Sequence, residues 1–240
     1  MPLSFEIGAL LFGIGLLAGG ISAVAGGASF LTFPALLWVG LPPLEANATN
    51  FVALAPGNGT ALVAYRRELR EIGRSLLGPL VLGAVGGTTG TLLLLWLGAG
   101  QFERAVPYLM LTATVLFIVS PYVRDRIAGV ADGGWVPAIV LFGLSMYCGY
   151  FGAGIGQVIL AALMMVGYTK YNEANAAKNA LIVAISVISV VIYGFSGLIS
   201  WPHALVIMVG TSIGGYYGAA LARLLPDVVL RWGVIVFGVF

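Results

Sequence analysis

Charged residues and metal ligands are scarce in this chain of 240 residues. Only 8% of the residues are charged, whereas soluble domains usually hold about 25%. There is one cysteine, Cys148, and one histidine, His203, so an internal disulfide is excluded and a zinc site with several Cys and His ligands cannot form. We therefore predict that the protein binds no metal and no cofactor.

The sequence also lacks the motifs of enzymes and of ATP-driven pumps. No G-x-x-x-x-G-K-[ST] loop is present, which excludes an ATPase within this chain. The pattern GIGLLA at 13–18 matches a dinucleotide fingerprint in letters only, since no strand or βαβ unit surrounds it. A membrane enzyme needs a catalytic set, and the chain offers a single His, a single Cys and no paired Asp or Glu motif in its apolar runs. We predict that the protein is not an enzyme and has no nucleic-acid partner.

Apolar sequence, in contrast, is abundant. Hydrophobic residues make up 60% of the chain, and its mean hydropathy is +1.04. Runs near the ~20-residue length that crosses a bilayer recur throughout. They cover residues 7–24, 46–65, 76–98, 105–122, 135–150, 174–193 and 203–222. The first run has no basic segment before it, so we predict that it belongs to the mature fold and is not a signal peptide. The expected fold is an all-α, polytopic integral membrane bundle in a lipid bilayer.

A duplication is visible in the sequence. EANATN at 45–50 returns as EANAAKN at 173–179, an offset of 128 residues (173 − 45). Further matches in the same register are Tyr65 with Tyr193 and GGTTG at 86–90 with GGYYG at 214–218. Matches in one register over this length are typical of a repeat. We predict two transmembrane repeats, residues 1–125 and 133–240.

The two repeats have the same layout. Each opens with a Gly-interrupted apolar region of about 36 residues, at 5–40 and 133–168, which is too long for one span and short for two. We predict a full helix followed by a shorter one, or a re-entrant pair. A helix beginning with EANA, a basic or polar loop, a Gly-x-x-x-Gly helix and a final helix follow. The glycines at 83–90 and 210–218 predict close packing between helices.

Basic residues are distributed unequally between equivalent loops. The loop after the first EANA helix holds four arginines between 66 and 74, and its counterpart GFSGLISWPH at 194–203 holds none. The preceding turn has the opposite bias, because GLPPLEA at 40–46 has no basic residue and GYTKYNEA at 167–174 has Lys170. Positive residues favour the cytoplasmic side, so this pattern predicts repeats of inverted topology with both termini outside. Inverted repeats with Gly-broken helices are typical of secondary transporters whose site lies near mid-bilayer, between the halves.

Polar residues cluster where each EANA helix starts. A helix start in a membrane presents unpaired N–H groups and a partial positive charge, which favour an anion. The alternative is that the Asn side chains satisfy helix ends or bond between packed helices. Lys178 is the most costly of these residues in an apolar helix, and it either faces an anion or extends to the interface. The substrate-binding residues predicted here are Asn47, Thr49, Asn50, Asn175, Lys178 and Asn179.

The Gly-rich breaks supply a second group of candidates. SAVAGGASF at 22–30 and GYFGAGIGQ at 149–157 either form an anion-binding nest of backbone N–H groups or serve close packing alone. From these segments we predict as substrate-binding Gly26, Gly27, Ser29, Gly154 and Gln157. Glu45 and Glu173 either titrate during transport or complement the dipoles of the helices that they begin.

Two long segments resemble a known family. They are GGISAVAGGASFLTFPALLWVGLPPLEANATN at 19–50 and GYFGAGIGQVILAALMMVGYTKYNEANAAKN at 149–179. Together they resemble the sulfite exporter TauE/SafE family, also called the toluene sulfonate uptake permeases, and the resemblance covers nearly the whole chain. It implies a multi-pass carrier of the bacterial inner membrane for small sulfur-containing anions such as sulfite, sulfoacetate or other organosulfonates. Export is the expected direction.

The resemblance also implies positions for the site. The Gly-rich break of the family corresponds to Gly26, Gly27 and Pro34, and its polar helix start corresponds to Asn47, Thr49 and Asn50. The second half departs from the pattern, with Gln157 and Lys178 where small or hydroxyl residues are expected, and Ala162 opposite Pro34. A passive anion channel and a carrier for a different small organic anion are the alternative functions. The oligomeric state stays open, with a homodimer among the options.

Overall fold

The computed structural model describes residues 4–24, 27–127, 135–153, 155–168 and 170–222. Within these ranges all regular structure is helical, which confirms the predicted all-α class. The helices are α1 (Phe5–Val24), α2 (Ser29–Trp38), α3 (Pro43–Ala64), α4 (Arg66–Ile72), a 3-10 turn (Gly73–Leu76), α5 (Leu77–Ile127), α6 (Trp135–Tyr150), α7 (Gly156–Met165), α8 (Tyr171–Ser196) and α9 (Trp201–Ala222). The final helix predicted for the second repeat lies outside the described residues.

Each Gly-interrupted region folds as a longer helix followed by a short one. In the first half α1 has 20 residues and α2 has 10, and in the second half α6 has 16 and α7 has 10. Between them lie Gly27, with φ 110°, and Gly152, with φ 74°. Such positive φ values favour glycine, which has no Cβ to clash with the backbone. Of the two arrangements predicted, the helix followed by a shorter helix is therefore the observed one.

The basic segment after α3 is a helix and not the predicted loop. Its residues Arg66–Ile72 form α4, which packs against α8. Arg, Glu and Leu are good helix formers, and Arg67 pairs with Glu71 one turn later, with Nε and Oε1 3.4 Å apart. Ile72 is buried, whereas Arg67 and Glu71 are exposed. The segment is thus amphipathic, which explains why it folds as a helix on the surface of the bundle.

Two of the predicted apolar runs, 76–98 and 105–122, are joined in α5. This helix spans 51 residues, and its backbone leaves helical geometry at Gly98, with φ 74° and ψ 179°. No side chain opposes that conformation, because Gly98 has no Cβ. The break therefore separates α5 into the two helical segments that the sequence predicts.

Three stretches of the described helices are long and apolar enough to cross a bilayer. They are Phe5–Ser22 in α1, Arg66–Leu116, which includes α4 and most of α5, and Asn172–Ser196 in α8. Large apolar side chains are exposed on the bundle, such as Trp96 of α5 with 81% of its surface exposed. Water would make such a surface costly, whereas lipid tails solvate it without penalty.

Glycines bring helices of the two halves into close contact. Helix α1 packs against α9, and α5 packs against α6. A Cβ atom on Gly210 would lie 2.6 Å from the Phe12 carbonyl oxygen, and one on Gly86 would lie 2.8 Å from the Phe142 carbonyl oxygen. Only glycine permits backbones to approach this closely. The close packing predicted for the Gly-x-x-x-Gly helices is therefore confirmed.

Helices α3 and α8, the two that begin with the EANA segments, run antiparallel. Phe51 packs on Tyr193 with the ring centroids 5.7 Å apart, while Tyr65, farther along α3, lies against Asn175 near the start of α8. As the chain advances along one helix, the contacts move backwards along the other. These equivalent helices of the two halves therefore point in opposite directions.

The other equivalent helices are also opposed in direction. Helices α1, α3 and α9 run parallel to one another, and so do α8, α6 and the first part of α5. The contacts that give the first set are Gly15 with Ile207, Gly19 with Thr211, Ala53 with Thr211 and Thr60 with Gly215. The contacts that give the second set are Gly86 with Phe142, Gly90 with Met146, Gly83 with Leu181 and Gly87 with Ile185. Because α3 and α8 are antiparallel, the two sets are antiparallel to each other.

Candidate functional site

A cavity lies between the two halves of the chain, at the breaks between the long and the short helices. Its empty volume, including the part open to solvent, is about 500 Å³. The lining from the first half includes Ser22, Gly27, Ser29, Asn50, Phe51 and Asn58. The lining from the second half includes Cys148, Gly152, Ile155, Gly156, Ile182 and Ser186. Both halves therefore contribute one Gly-rich break and one EANA helix to the same cavity.

Both short helices begin at this cavity. Helix α2 starts at Ser29 and α7 starts at Gly156, and both residues line the cavity. No side chain caps either start, since the preceding residues are Ala28 and Ile155. The helix dipole gives each start a partial positive charge. At α2 the Phe30 and Leu31 N–H groups already donate to the Gly27 and Ala28 carbonyls, both at 3.0 Å, so this start favours an anion mainly through its dipole. Two uncapped starts at one cavity make it suited to an anion.

Asn50 of α3 holds the start of α2 in place. Its Nδ2 donates to Ser29 Oγ at 3.1 Å, and its Oδ1 accepts from Thr32 Oγ1. All three side chains are buried. Farther along α3, Asn58 Oδ1 accepts from Ser22 Oγ at 3.0 Å. These bonds attach the break between α1 and α2 to α3 and leave two amide side chains on the cavity wall.

Lys178 is buried on α8, one turn before the cavity-lining Ile182. Only 1% of its surface is exposed, and its Nζ has no hydrogen-bond partner among the described residues. The neighbouring Asn179 Nδ2 also lacks one in the described part of the chain. Buried polar groups are nearly always paired, and an unpaired ammonium in a low-dielectric interior is especially costly. Under the offset of 128 residues, Lys178 occupies the position of Asn50.

Hydrogen bonds between the halves lie on one side of the cavity, beyond Asn58 along α3. Asn175 Nδ2 donates to the Tyr65 hydroxyl at 2.7 Å, and the Tyr168 hydroxyl donates to the Ser75 carbonyl at 3.1 Å. Burial raises the pKa of the Tyr168 phenol above its ordinary value, so this group stays a neutral donor. These bonds join α3 and the α4 region to the start of α8.

A second set of bonds lies on the other side of the cavity, near the start of α3. Asn47 Nδ2 donates to the Tyr150 carbonyl at 3.1 Å, and Thr49 Oγ1 accepts from the Ser200 backbone N–H at 3.0 Å. Both bonds again join the first half to the second. The cavity therefore lies between two sets of contacts that join the halves.

The structure brings some of the predicted site residues to the cavity wall and places others behind it. Gly27, Ser29 and Asn50 line the cavity. The candidates that are buried within the first three turns of α3 and α8, without lining it, are Asn47, Thr49, Asn175, Lys178 and Asn179. Gly26 and Gly154 lie outside the described residues, and only the backbone of Gln157 is described, in α7. The helix starts at the cavity are thus those of α2 and α7, whereas the EANA segments begin farther away.

Several cavity residues were not predicted from the sequence. Helical spacing could have identified two of them. Asn58 lies eight residues after Asn50, and Ser186 lies eight residues after Lys178, so each pair is on the same face of its helix. No local signal existed for Cys148, which lines the cavity because α6 packs against α5 and α7 in the folded bundle.

Glu45 and Glu173 do not line the cavity. They lie in the first turns of α3 and α8. Glu173 pairs with Lys170 at the surface, with Oε1 and Nζ 2.7 Å apart, and this hydrogen bond raises the pKa of Lys170 above its ordinary value. An acidic residue in a first turn complements the helix dipole. The positions fit that interpretation of the two acids.

Comparisons with known proteins agree with the resemblance seen in the sequence. The family model described as sulfite exporter TauE/SafE matches residues 11–240. The chain is 28% identical to a probable membrane transporter protein of Haemophilus influenzae, over 98% of this chain and 93% of that protein. It is 26% identical to the probable membrane transporter protein ORF9 of Sinorhizobium sp, over 92% and 85% of the two chains. It is 29% identical to the probable membrane transporter protein YfcA of Escherichia coli K12, over 80% and 71%. No solved structure matches the chain significantly.

Proposed function

Because the chain belongs to the sulfite exporter TauE/SafE family, and is thus a multi-pass membrane transporter and not an enzyme, we propose that it is a secondary carrier of small sulfur-containing anions. Sulfite and organosulfonates such as sulfoacetate are the proposed substrates, and export from the cell is the proposed direction. The observation that carries this proposal is the cavity between the halves at which two uncapped helices begin.

The chemistry of the cavity supports an anion with several acceptor oxygens. Its polar groups are the amides of Asn50 and Asn58 and the hydroxyls of three serines, and the positive ends of the α2 and α7 dipoles lie beside them. The serines are Ser22, Ser29 and Ser186. No Asp or Glu is among the lining residues in the described part of the chain. Sulfite and sulfonate groups accept hydrogen bonds through three oxygens, so they match a lining of donors without a carboxylate. We place the substrate here, with Lys178 supplying a full positive charge from behind the wall.

The contacts on either side of the cavity favour a carrier over a channel. Asn175 with Tyr65 and Asn47 with Tyr150 join the halves on opposite sides of it. A channel needs a continuous path, whereas a carrier opens one side at a time. The cavity between two sets of contacts is the arrangement expected of a carrier site.

The inverted repeat, 1–125 and 133–240, is part of this proposal. Its support is the opposite direction of the equivalent helices, α3 against α8 above all. In carriers with inverted repeats the two halves exchange conformations, so that the site opens to each side in turn. The substrate cavity at the boundary of the halves agrees with such a mechanism.

Counterflow in proteoliposomes tests the proposed function. Vesicles with purified protein are loaded with unlabelled sulfite or sulfoacetate and diluted into a trace of the labelled anion. A carrier exchanges the two and accumulates label transiently, with a rate that saturates. Acetate as the loading anion and vesicles without protein are the controls. Loss of the saturable exchange, with a linear conductive flux in its place, would support the channel, and equal exchange of acetate would support a carrier for another organic anion.

A further inference from the structure

Among the residues whose side chains are described, Lys178 is the only buried Lys, Arg, Asp or Glu. It lies one turn along α8 from the cavity wall at Ile182, and its Nζ has no partner in the described part of the chain. The proposed function, on which the present inference rests, places an anion in that cavity. The ammonium then has a counter-charge only while the carrier is loaded.

No carboxylate on the neighbouring helices pairs with Lys178 among the described residues. The helices packed against α8 are α3, α4, α5, α6 and α7. Their acids with described side chains are Glu45 at the far end of α3, Glu68 and Glu71 on α4 and Glu103 on α5. Glu68 and Glu71 line a surface groove with Lys170 and Glu173, and Glu103 is exposed. Glu68 Oε2 is buried, but it has no hydrogen-bond partner in this part of the chain and so is not paired with Lys178.

The other titratable groups around α8 do not supply a negative charge to balance Lys178 either. The bases with described side chains on the packed helices are Arg66, Arg67 and Arg70 of α4 and Arg104 of α5, and all of them are exposed. The phenols and the thiol with described side chains are Tyr65 at the end of α3, Tyr108 of α5, Tyr147, Cys148 and Tyr150 of α6, and Tyr193 of α8. Phenols and thiols are neutral at physiological pH in an apolar environment. No fixed charge thus balances an ammonium at this position.

An unpaired ammonium in an apolar interior is strongly disfavoured, and loss of its proton removes that cost. A nearby anion reverses the preference, because attraction between opposite charges is strong where water is excluded. We propose that Lys178 couples anion transport to protons: binding of the anion takes one proton from solution onto the Lys178 amine, and release of the anion on the other side returns it. The carrier is then an anion–proton symporter. Because a dianion moved with one proton carries one net negative charge, an inside-negative membrane potential drives it out of the cell, in agreement with the proposed export.

Linkage sets the direction of the pH effect. If the empty site holds a neutral amine and the loaded site an ammonium, then each anion bound takes up a proton. Higher pH keeps more empty sites neutral, so the number of protons taken up per anion rises towards one. The dissociation constant of the anion rises over the same interval, by up to about tenfold per pH unit. At low pH the amine is already protonated, and both effects vanish.

Proton uptake on binding is measured with purified full-length protein in weakly buffered detergent solution that contains a pH indicator. Sulfoacetate is the probe, because both of its acidic groups are ionised between pH 6.5 and 9, whereas sulfite itself exchanges a proton in this interval. Proteoliposomes with an imposed pH gradient supply the second readout. Since protons flow from the acidic to the alkaline side, a symporter accumulates sulfoacetate on the alkaline side.

Two substitutions distinguish a role of Lys178 in proton coupling from a role in folding. Lys178→Arg keeps a charge that cannot be lost, so it is expected to bind sulfoacetate and support counterflow without proton uptake. Lys178→Met removes the charge and is expected to bind weakly at every pH. Lys170→Gln, an exposed lysine at the start of the same helix, is the control and is expected to behave as the wild type.

Two results together uphold the inference. The wild-type protein takes up protons when it binds sulfoacetate, and the number of protons per anion increases from pH 6.5 to 9. The Lys178→Arg variant retains counterflow but shows neither proton uptake nor a response to the pH gradient. Counterflow by the wild type without proton uptake at any pH overturns the coupling and leaves the proposed carrier intact. Proton uptake that persists in Lys178→Arg also overturns it, because another group then carries the proton. Absence of counterflow with both sulfite and sulfoacetate overturns the proposed function itself.

Discussion

Asn175 donates a hydrogen bond to the Tyr65 hydroxyl at 2.7 Å, whereas its equivalent in the first half, Asn47, donates to the Tyr150 carbonyl at 3.1 Å. The equivalent tyrosine, Tyr193, does not bond to Asn47, and its hydroxyl lies beside Thr91. The two sides of the cavity therefore differ in their contacts, although both are built from matching residues.

Tyr65→Phe is expected to favour opening on the side of segment 66–74. One hydrogen bond contributes about 0.5–1.5 kcal/mol, so its loss shifts the population of the open form by roughly two- to tenfold. The measurement is the rate at which a membrane-impermeant thiol reagent modifies Cys148 from that side. Tyr193→Phe is the matched control and is expected to leave this rate unchanged. Equal rates in Tyr65→Phe and wild type would show that the bond does not hold this side closed.

Cys148 is expected to report occupancy of the cavity. It is the only cysteine of the chain and lines the cavity, so alkylation needs no engineered site. Sulfoacetate is expected to slow alkylation in a saturable manner, because an anion at the starts of α2 and α7 blocks access to the thiol. Sulfite is not used here, because it reacts with the alkylating reagent itself. Mass spectrometry of the labelled protein gives the rate. An alkylation rate that sulfoacetate leaves unchanged but acetate lowers would place a different substrate in the cavity.

The Asn residues behind the cavity wall are expected to affect transport more than folding. Asn47→Ala and Asn175→Ala each remove an amide that is buried and whose Oδ1 has no partner among the described residues. With protein amounts matched, we expect counterflow to change by roughly two- to tenfold, since each variant loses a neutral hydrogen bond between the halves that is worth about 0.5–1.5 kcal/mol. Asn172→Ala, at an exposed position of α8, is the control. Wild-type rates in both variants would make the EANA segments purely structural.

Gly86→Leu is expected to impair folding. A Cβ at Gly86 would already lie 2.8 Å from the Phe142 carbonyl oxygen, and the full side chain requires α5 and α6 to separate. Overpacking of this kind costs about 1–3 kcal/mol or more. Gly143→Leu, on α6 where a Cβ meets nothing within 4 Å, is the control. Yield and thermal stability of the purified variants measure the effect, and equal values for the two variants would contradict the role of Gly86 in helix packing.

The proposed inverted topology predicts that the segments after α3 and after α8 lie on opposite sides of the membrane. Ser75→Cys and Ser196→Cys test it, both in a Cys148→Ser background. Both serines are exposed, whereas His203, in the first turn of α9, is buried and therefore unsuited to labelling. An impermeant thiol reagent is expected to label Ser75→Cys from the cytoplasmic side only and Ser196→Cys from the outside only. Labelling of both from one side would exclude inversion.

The sequence alone determined that the protein is a helical membrane protein, and it identified the polar residues that lie within apolar helices. Membrane insertion and helix formation depend on local apolar composition and length, which can be counted along the chain. Close packing at Gly86 and Gly210 was equally predictable, because the spacing of small residues on one helix face is a local property. The duplication identified Asn50 and Lys178 as equivalent positions, because an internal repeat is detected by comparing the sequence with itself.

Only the tertiary structure decided which helix starts meet at the cavity. The EANA segments pointed to α3 and α8, but the cavity is lined by the starts of α2 and α7, because each short helix folds back from its Gly-rich break. The same holds for Cys148, whose place on the wall depends on α6 packing against α5 and α7, and for segment 66–74, which is helical because one of its faces packs on α8. Contacts between residues more than 90 positions apart arise from packing, and no local pattern in the sequence encodes them.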